Sequence, residues 1–394
     1  MKKILNPLLF LHFLNDGVRT TFIILLPFIA KDLFLSYTQV GFLGSSQGLL
    51  SVILAFPTGF IASKIGGFKL LTVALFIYSL GALGISVAPN ILFLFPIFYL
   101  GAIGFGMFHI IGFSLVAKES EKGNIGRNMA NFTSIGDVGR ISISTLALFL
   151  TSIIGWRLTI TVIGIIGCII FILSRLYGLR NEKHVTEKAI IQESNREWLK
   201  NLYHIFKTKR LLLVSSVALL DTFASSQLFL FLPFLLLQRG VNAAILGIFT
   251  GGYFIGNFSG KTLLGRGVDK YGNKKVFIIS ELLMAFIIIL IAVTNNLVFL
   301  FVLSFLLGVF TKGTSPVIQT LFSEEIHKTH YEKVFAISES FIGVASVIAP
   351  IIMGVFADHF GILSVFYLSA FFAIFAIFPV FLIPRKLNRI DLQG

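Results

Sequence analysis

The sequence predicts an all-α integral membrane protein with twelve transmembrane helices. Its composition gives two reasons: 56% of the 394 residues are hydrophobic, and only 13% are charged. A soluble protein of this length would carry about twice that charged fraction. The 44 Phe and 36 Gly residues suit helices that face lipid and pack closely on one another. The composition therefore argues against a soluble enzyme and names the lipid bilayer as the first partner.

The net charge of +14 would also fit a nucleic-acid-binding protein. However, Lys and Arg fall almost entirely in short gaps between apolar runs, and no basic face is interleaved with aromatic residues. We therefore expect no nucleic-acid partner. The single cysteine, Cys168, lies in an apolar run, so we expect neither a disulfide framework nor a metal-binding cluster.

The twelve spans follow from apolar runs of roughly 20 residues, the length that a helix needs to cross the hydrocarbon. Lys2 and Lys3 precede the first run as in a signal peptide, but the run continues to about Ala30 without a small-residue cleavage site, so we expect an uncleaved helix. The predicted spans are 5–30, 38–62, 68–88, 91–117, 129–153, 157–178, 210–237, 243–266, 274–293, 297–321, 333–357 and 361–383.

One long polar stretch, residues 179–209, divides the predicted spans into two sets of six. The sequence thus predicts a six-helix bundle at 1–178, a cytoplasmic linker at 179–209 and a second bundle at 210–394. With the N-terminus inside, the cytoplasmic segments hold most of the Lys and Arg residues, whereas the opposite loops hold only Lys31, Arg157 and Arg239. By the positive-inside rule both termini are expected in the cytoplasm.

The two halves are related in sequence by a constant offset. This offset aligns Pro27 with Pro233, Gly41 with Gly247, Gly59 with Gly265 and Gly66 with Gly272. Parallel repeats of this kind are the expected architecture of one class of transporters, with a central substrate cavity between them near mid-membrane.

Both halves also contain the same short loop motif. Residues 59–69 read GFIASKIGGFK and residues 265–275 read GRGVDKYGNKK. Both resemble the G-x-L-a-D-r-x-G-r-k loop of the major facilitator superfamily, and the resemblance extends over the whole chain through helix count, repeat and loop position. It implies the fold of that family, a monomer, and gating loops that latch the outward-open state, here Gly59, Lys64, Gly66, Gly265, Asp269, Lys270, Gly272 and Lys274.

The first copy of the loop departs from the family pattern, because Ser63 replaces the acid and Gly67 stands where a basic residue is usual. We therefore expect the Asp269 copy to contribute more to gating. The alternative is that both loops are only tight cytoplasmic turns.

A narrower resemblance concerns three short runs. The runs 12–16 (HFLND), 104–109 (GFGMFH) and 126–139, which includes Phe132 and GDVG, are similar to the fosmidomycin-resistance branch of drug exporters. The fifth span lacks the Gly-Pro pair usual in drug/proton antiporters of the family, which counts against a simple multidrug antiporter.

Ionisable residues inside predicted spans are costly, so they are expected to face a cavity or a partner. Asp16 and Arg19 in span 1 are three residues apart, as are Asp137 and Arg140 in span 5. Each pair is either an intrahelical ion pair that neutralises itself or a cavity-lining pair that exchanges partners during transport. His109 in span 4 is either a packing residue or a proton relay.

The second half carries its own buried charges: Asp221, Lys261, Glu281, Lys312 and Glu339. Asp221 is nearly the repeat mate of Asp16. For Glu281, a structural pairing is an equal alternative to a role in the site. For Glu339 the alternative is an interfacial position, and for Lys261 it is snorkelling to the surface. We expect Lys312, which lies deeper, to face the cavity. The candidate substrate- or proton-binding residues are Asp16, Arg19, His109, Asp137, Arg140, Asp221, Lys261, Lys312 and Glu339.

Two functions remain open at this stage. The first is proton-coupled export of a small organic or drug-like compound across the inner membrane. The second is proton-coupled transport of an acidic or zwitterionic metabolite that uses Arg19, Arg140, Lys261 and Lys312 as a basic cavity. The sequence has no phosphate-binding Gly loop with Lys-Ser/Thr, so we expect no ATP, no cofactor and no enzymatic activity. A non-transporting receptor would need a large extramembrane domain, which the span pattern does not predict.

Overall fold

A computed structural model of the chain describes residues 2–120, 125–176, 208–323 and 331–383. Within these residues all regular structure is helical. The helices are α1 (Lys2–Ile24), α2 (Leu26–Leu33), α3 (Tyr37–Ile65), α4 (Gly67–Ser86), α5 (Ile91–Glu119), α6 (Ile125–Leu176), α7 (Lys209–Ser225), α8 (Leu228–Gln238), α9 (Ala243–Tyr271), α10 (Asn273–Val293), α11 (Leu297–Ser323), α12 (Tyr331–Phe360) and α13 (Leu363–Leu382).

Four of the predicted spans, 1, 5, 6 and 7, do not each correspond to one separate continuous helix. The first span consists of α1 and α2, which are separated at Leu25, and Pro27 stands in the first turn of α2. Proline lacks a backbone N–H, so it fits the start of a helix, where that donor has no intrahelical partner. The seventh span is divided in the same way into α7 and α8. Spans 5 and 6 are two helical segments that meet directly at Gly155 within α6, where φ is 77° and the backbone is not helical.

Nine helical segments of the described residues are long and apolar enough to cross a membrane. One of them, Asn131–Ser174, has 44 residues. A helix rises about 1.5 Å per residue, so a single crossing needs only about 20 residues, and this segment is long enough to cross twice around Gly155. Helices α3 and α9, with 29 residues each, occupy the second and eighth predicted spans. The predicted all-α membrane fold is confirmed.

The chain packs as two compact units. Unit 1 comprises Met1–Thr186, Phe229–Phe254 and Pro350–Ile362, and unit 2 comprises Glu187–Leu228, Ile255–Ala349 and Leu363–Gly394. The division into bundles 1–178 and 210–394 stays a prediction, and the proposed linker 179–209 lies outside the described residues as far as residue 207.

Glycines bring the helices of unit 1 into backbone contact. In unit 1, α1 packs on α6, and α4 packs on α5 and α6. A Cβ atom at Gly139 of α6 would lie 2.1 Å from the carbonyl oxygen of Phe13 in α1, and one at Gly104 of α5 would lie 2.4 Å from that of Ala74 in α4. A side chain at either position would therefore push the helices apart.

Unit 2 is built on the packing of α7 and α10 against α13 and α11. Its core is formed by fully buried residues such as Phe277, Leu321 and Phe322. Helix α9 approaches α11 through Gly256 and Gly260, where a Cβ atom would lie 2.1 Å from the carbonyl oxygens of Phe305 and Val309 respectively. A side chain at either glycine would therefore push α9 and α11 apart.

Candidate functional site

A buried carboxylate, Asp16 of α1, lies at the centre of the charge cluster in unit 1. Its side chain is only 1% exposed. Arg140 of α6 donates from Nη2 to Asp16 Oδ2 at 2.6 Å, and from Nη1 to Asp137 Oδ1 at 3.1 Å. One guanidinium group therefore joins two carboxylates from two helices.

Two histidines approach the other oxygen of Asp16. The Nε2 atoms of His12 in α1 and His109 in α5 each lie 3.5 Å from Asp16 Oδ1. The side-chain amide of Asn15 donates to the same oxygen at 3.1 Å. His12 is buried, whereas the side chain of His109 is 31% exposed.

The hydrogen bonds of His12 determine its protonation. Its Nδ1 lies 2.7 Å from the backbone carbonyl oxygen of Phe132, which can only accept, so Nδ1 is the donor. The opposite nitrogen, Nε2, is buried and has no hydrogen-bond partner among the described residues. In a neutral ring this Nε2 has a lone pair, and that lone pair faces the carboxylate of Asp16. Two acceptors therefore face each other, and the contact between His12 Nε2 and Asp16 Oδ1 is favourable only when a proton lies between them.

Gly136 of α6 leaves space for the His12 ring, and aromatic stacking holds the ring in that space. A Cβ atom at Gly136 would lie 2.6 Å from His12 Cε1 and 2.9 Å from Asp16 Oδ2. The ring stacks on Phe132 at a centroid distance of 3.8 Å, and its plane is also nearly parallel to that of Phe108 at 5.7 Å. The ring is therefore held in one orientation.

Charges within the cluster balance. Arg19, one turn beyond Asp16 on α1, lies close enough to Asp16 and Arg140 to interact electrostatically with both. With both imidazoles neutral, two carboxylates oppose two guanidinium groups, which lowers the cost of burying them. Binding of one proton would give the cluster a net positive charge.

The same three groups are also spaced as metal ligands. One ligand atom each from His12, Asp16 and His109 lie within 4.8 Å of one another. Two imidazole nitrogens and a carboxylate oxygen would suit a transition metal. The guanidinium of Arg140, 2.6 Å from the second oxygen of Asp16, opposes a divalent cation at this place. A single proton fits this donor set better.

Unit 2 contains a second buried acidic site with different partners. Asp221 of α7 lies beside Glu281 of α10, near the Thr314 hydroxyl and the Lys312 ammonium group of α11. Asp221 is 6% exposed and Glu281 is fully buried. Asp221, which nearly corresponds to Asp16 in the repeat, therefore has another carboxyl group as its neighbour.

The match to known proteins decides the family. Residues 8–249 and 214–391 match the family model described as "Major Facilitator Superfamily", so the match spans nearly the whole chain. The chain belongs to the major facilitator superfamily. The predicted family and fold are thereby confirmed, and the protein is a membrane transporter.

Similar major facilitator proteins have diverse substrates. The chain is 24% identical to the probable galactarate/D-glucarate transporter GarP of Escherichia coli, covering 83% of this chain and 81% of the relative. It is 22% identical to the multi-drug resistance efflux pump PmrA of Streptococcus pneumoniae, covering 91% and 90%. Among solved structures, the nucleoside transporter NupG superposes with a TM-score of 0.80 at 14% identity, covering 98% of this chain and 100% of that chain. This last likeness concerns the fold alone.

The two facilitator loops lie at glycine turns. Gly66 and Gly272 have φ values of 92° and 83°, which favour glycine. Lys274 donates from Nζ to the carbonyl oxygen of Ile383 in unit 2, and Lys64 lies 4.3 Å from the ring centroid of Phe60. Asp269 and Lys270 are exposed, whereas Gly59 and Gly265 lie within α3 and α9. The turn geometry is thus observed, and the latch role of the loops stays a prediction.

Three other predicted site residues are on helices that do not contribute to the Asp16 cluster. Lys261 is partly exposed in α9, Lys312 is exposed in α11, and Glu339 lies in α12. Of these, Lys312 is near Asp221. The structure brings together Asp16, Arg19, His109, Asp137 and Arg140 from the predicted set.

The sequence prediction missed three features of the sites. His12 and Asn15 were noted only within the HFLND run, although both contact Asp16. Glu281 is not among the residues that the sequence predicts for the site. The third feature is Asp358 near the end of α12, which accepts hydrogen bonds from the backbone N–H groups of Tyr37 and Thr38, at 2.7 and 2.9 Å, in unit 1.

The Asp358 contact caps the N-terminus of α3. A carboxylate there satisfies amides that have no intrahelical acceptor and interacts favourably with the helix dipole. The Thr38 hydroxyl adds a third bond at 2.6 Å. No sequence signal could have found this contact, because its partners are separated by more than 300 residues.

Proposed function

We propose that this transporter couples the export of a small organic or drug-like compound to the inward movement of protons, and that Asp16 is the coupling site. The protein would lie in the cytoplasmic membrane with both termini inside and work as a monomer. The observation on which the proposal rests is the Asp16 cluster, where one buried carboxylate faces two imidazole nitrogens and one guanidinium group.

A proton is the coupling ion that this chemistry favours. The lone pair of His12 Nε2 and the carboxylate of Asp16 are both acceptors, 3.5 Å apart, and only a shared proton makes their contact favourable. His109 is the most exposed of the three acid–base groups, so it offers a way for protons to reach Asp16.

Export of an organic compound follows from the charge balance. With neutral imidazoles the cluster has no net charge, so it offers no excess positive charge to an anion. A proton bound at Asp16 would weaken the hold of Asp16 on Arg140 and change the polarity that a substrate meets, which couples the two binding events. The likeness to PmrA, a multi-drug resistance efflux pump, over 91% of the chain supports this direction.

The second candidate function is proton-coupled transport of an organic anion or zwitterion. Arg140 is 25% exposed, and protonation of Asp16 would release one of its two partners. An acidic substrate could then bind to Arg140 together with Arg19. The likeness to GarP, a probable transporter of two sugar acids, favours this alternative.

A thermal-stability panel on the detergent-purified protein separates the two candidates. A ligand that binds the folded state raises the melting temperature by mass action. The panel contains galactarate, D-glucarate, nitrate, nucleosides, and cationic and neutral drug-like compounds. Stabilisation by the cationic or neutral compounds supports export, whereas stabilisation confined to anions overturns it in favour of the second candidate.

The coupling role of Asp16 is tested in proteoliposomes with the stabilising compound. We expect Asp16→Asn to abolish transport driven by a pH gradient while exchange of the compound across equal pH continues. The matched control is Asp32→Asn, which removes an exposed carboxylate whose partner is Arg157. If Asp16→Asn leaves gradient-driven transport at the control level, Asp16 is not the coupling site.

A further inference from the structure

We propose that Asp221 and Glu281 form a second proton-binding site, in unit 2, where the two carboxyl groups hold one proton between them. This site is separate from the Asp16 cluster and uses no histidine. It goes beyond the proposed function, because its occupancy is an equilibrium property that needs neither substrate nor transport.

The first reason for a shared proton is that the two acids lie close together in a buried place. Asp221 stands in α7 and Glu281 in α10, two helices that pack against the common neighbours α11 and α13. Their carboxyl groups are close enough to share a hydrogen. Neither side chain reaches solvent to any useful extent, since their exposed fractions are 6% and 0%. Two adjacent carboxylates without water would repel each other strongly.

The second reason for a shared proton is that several carboxyl oxygens of the pair have no hydrogen-bond donor within the described part of the chain. Both carboxyl oxygens of Glu281 and the Oδ1 atom of Asp221 are buried without a hydrogen-bond partner among the residues that the structure describes. Ionised carboxylates only accept hydrogen bonds, so a buried pair of them needs several donors. A proton on one of the two groups supplies the missing donor and removes one negative charge at the same time.

The surrounding charges fit one proton rather than two or none. From α11, the Lys312 ammonium group acts on Asp221 electrostatically, and the Thr314 hydroxyl lies near the Asp221 carboxyl group. Helix α13 contains no charged side chain, and Tyr367 is its only titratable residue. A pair with one proton has a charge of −1, which the single positive charge of Lys312 balances.

Repeat symmetry links this pair to the transport cycle. Asp221 is nearly the repeat mate of Asp16, so each half of the chain places an acid at the corresponding point of its first helix. Separation of α7 from α10 would give each carboxyl group its own surroundings and release the shared proton. On that basis the pair adds one proton to each transport cycle, a consequence that rests on the proposed function.

Infrared spectroscopy of the purified full-length protein tests the shared proton directly. We expect the carbonyl stretching band of a buried protonated carboxyl group in the wild type at neutral pH, with a shift in D2O. The band should disappear in the double variant Asp221→Asn/Glu281→Gln, whose two amides can hydrogen-bond to each other. Asp16→Asn is the matched control and should keep the band.

A proton count gives a second, independent measurement. Unfolded carboxyl groups ionise near pH 4, so unfolding the wild type at neutral pH in weakly buffered dye solution should release about one more proton than unfolding the double variant. Equal proton release from the two proteins overturns the proposal. So does the absence of any protonated-carboxyl band from the wild type, which needs no variant. Gradient-driven transport that persists in Asp16→Asn, together with an intact band, would overturn the proposed function and leave this site standing.

Discussion

Each unit of this transporter buries an acid on a corresponding helix, but the two acids have opposite kinds of partner. Asp16 in unit 1 is held by the guanidinium of Arg140 and faces two imidazoles. Asp221 in unit 2 lies beside another carboxyl group, Glu281. A buried carboxylate must be neutralised either by a cation or by a proton. The comparison teaches that a duplicated fold preserves the position of a buried acid without preserving how it is neutralised.

The two solutions have different consequences. A carboxylate that is paired with arginine stabilises the protein through its negative charge. Loss of that charge leaves a buried cation without a partner. A carboxyl group that shares a proton depends mainly on its shape and hydrogen-bonding atoms. Substitutions that keep shape but remove charge should therefore affect the two units unequally.

The largest effect is expected from Arg140→Ala, which removes the cation that Asp16 and Asp137 share. Breaking a buried ion pair by removing one partner typically costs 3–5 kcal/mol, and we expect about 3 kcal/mol because Arg140 is partly exposed. The free energy of unfolding is measured by SDS titration in mixed micelles. Asp32→Asn, which breaks an exposed pair with Arg157, should cost less than about 1 kcal/mol. Equal losses in the two variants would contradict the central role of Arg140.

A smaller effect should distinguish the two acids directly. Asp16→Asn replaces a charge-assisted hydrogen bond to Arg140 by a neutral one and should lower the free energy of unfolding by about 2 kcal/mol. Glu281→Gln keeps the shape of the group and supplies a donor to Asp221, so we expect a change within about 0.5 kcal/mol. The same unfolding titration measures both variants. The comparison between the units fails if Glu281→Gln is the more destabilising of the two.

The smallest effect concerns the packing that sets the Asp16–Arg140 distance. Gly139→Ala places a Cβ atom 2.1 Å from the carbonyl oxygen of Phe13, so α1 and α6 must separate at a cost of at least about 1 kcal/mol. Gly265→Ala in α9 meets nothing within 4 Å and should stabilise the helix by up to about 1 kcal/mol. Thermal unfolding of both variants checks the opposite signs. A neutral Gly139→Ala would show that the helix contact does not fix the cluster.

Sequence reasoning predicted the membrane fold well because apolar runs and glycine turns are local signals. All twelve predicted spans fall on observed helices, and the prediction of paired charges three residues apart holds for Asp137 and Arg140. The breaks inside spans 1 and 7 were not predicted. Pro27 fits the helix start that follows Leu25, whereas the non-helical Gly155 lies in the gap that the sequence predicts between spans 5 and 6.

The sites could be predicted only in part, because spacing along a helix identifies partners on that helix alone. Arg140 contacts Asp16 across 124 residues, and Glu281 meets Asp221 from another helix. These contacts depend on how each helix is rotated about its own axis, and glycine contacts such as that of Gly139 with Phe13 set this rotation. A single sequence names such glycines but does not say which backbone each one meets.

The stacking of His12 has a consequence for the path of protons. Phe132 and Phe108 flank the ring with nearly parallel planes, and Nδ1 is bound to a helix carbonyl, so the imidazole cannot turn over. A histidine that relays a proton accepts it on one nitrogen and gives it up from the other. His12 has only Nε2 available, so a proton must return by the side from which it came. Under the proposed function, His12 would therefore be an end point of the proton path, and the partly exposed His109 would connect Asp16 with the outside.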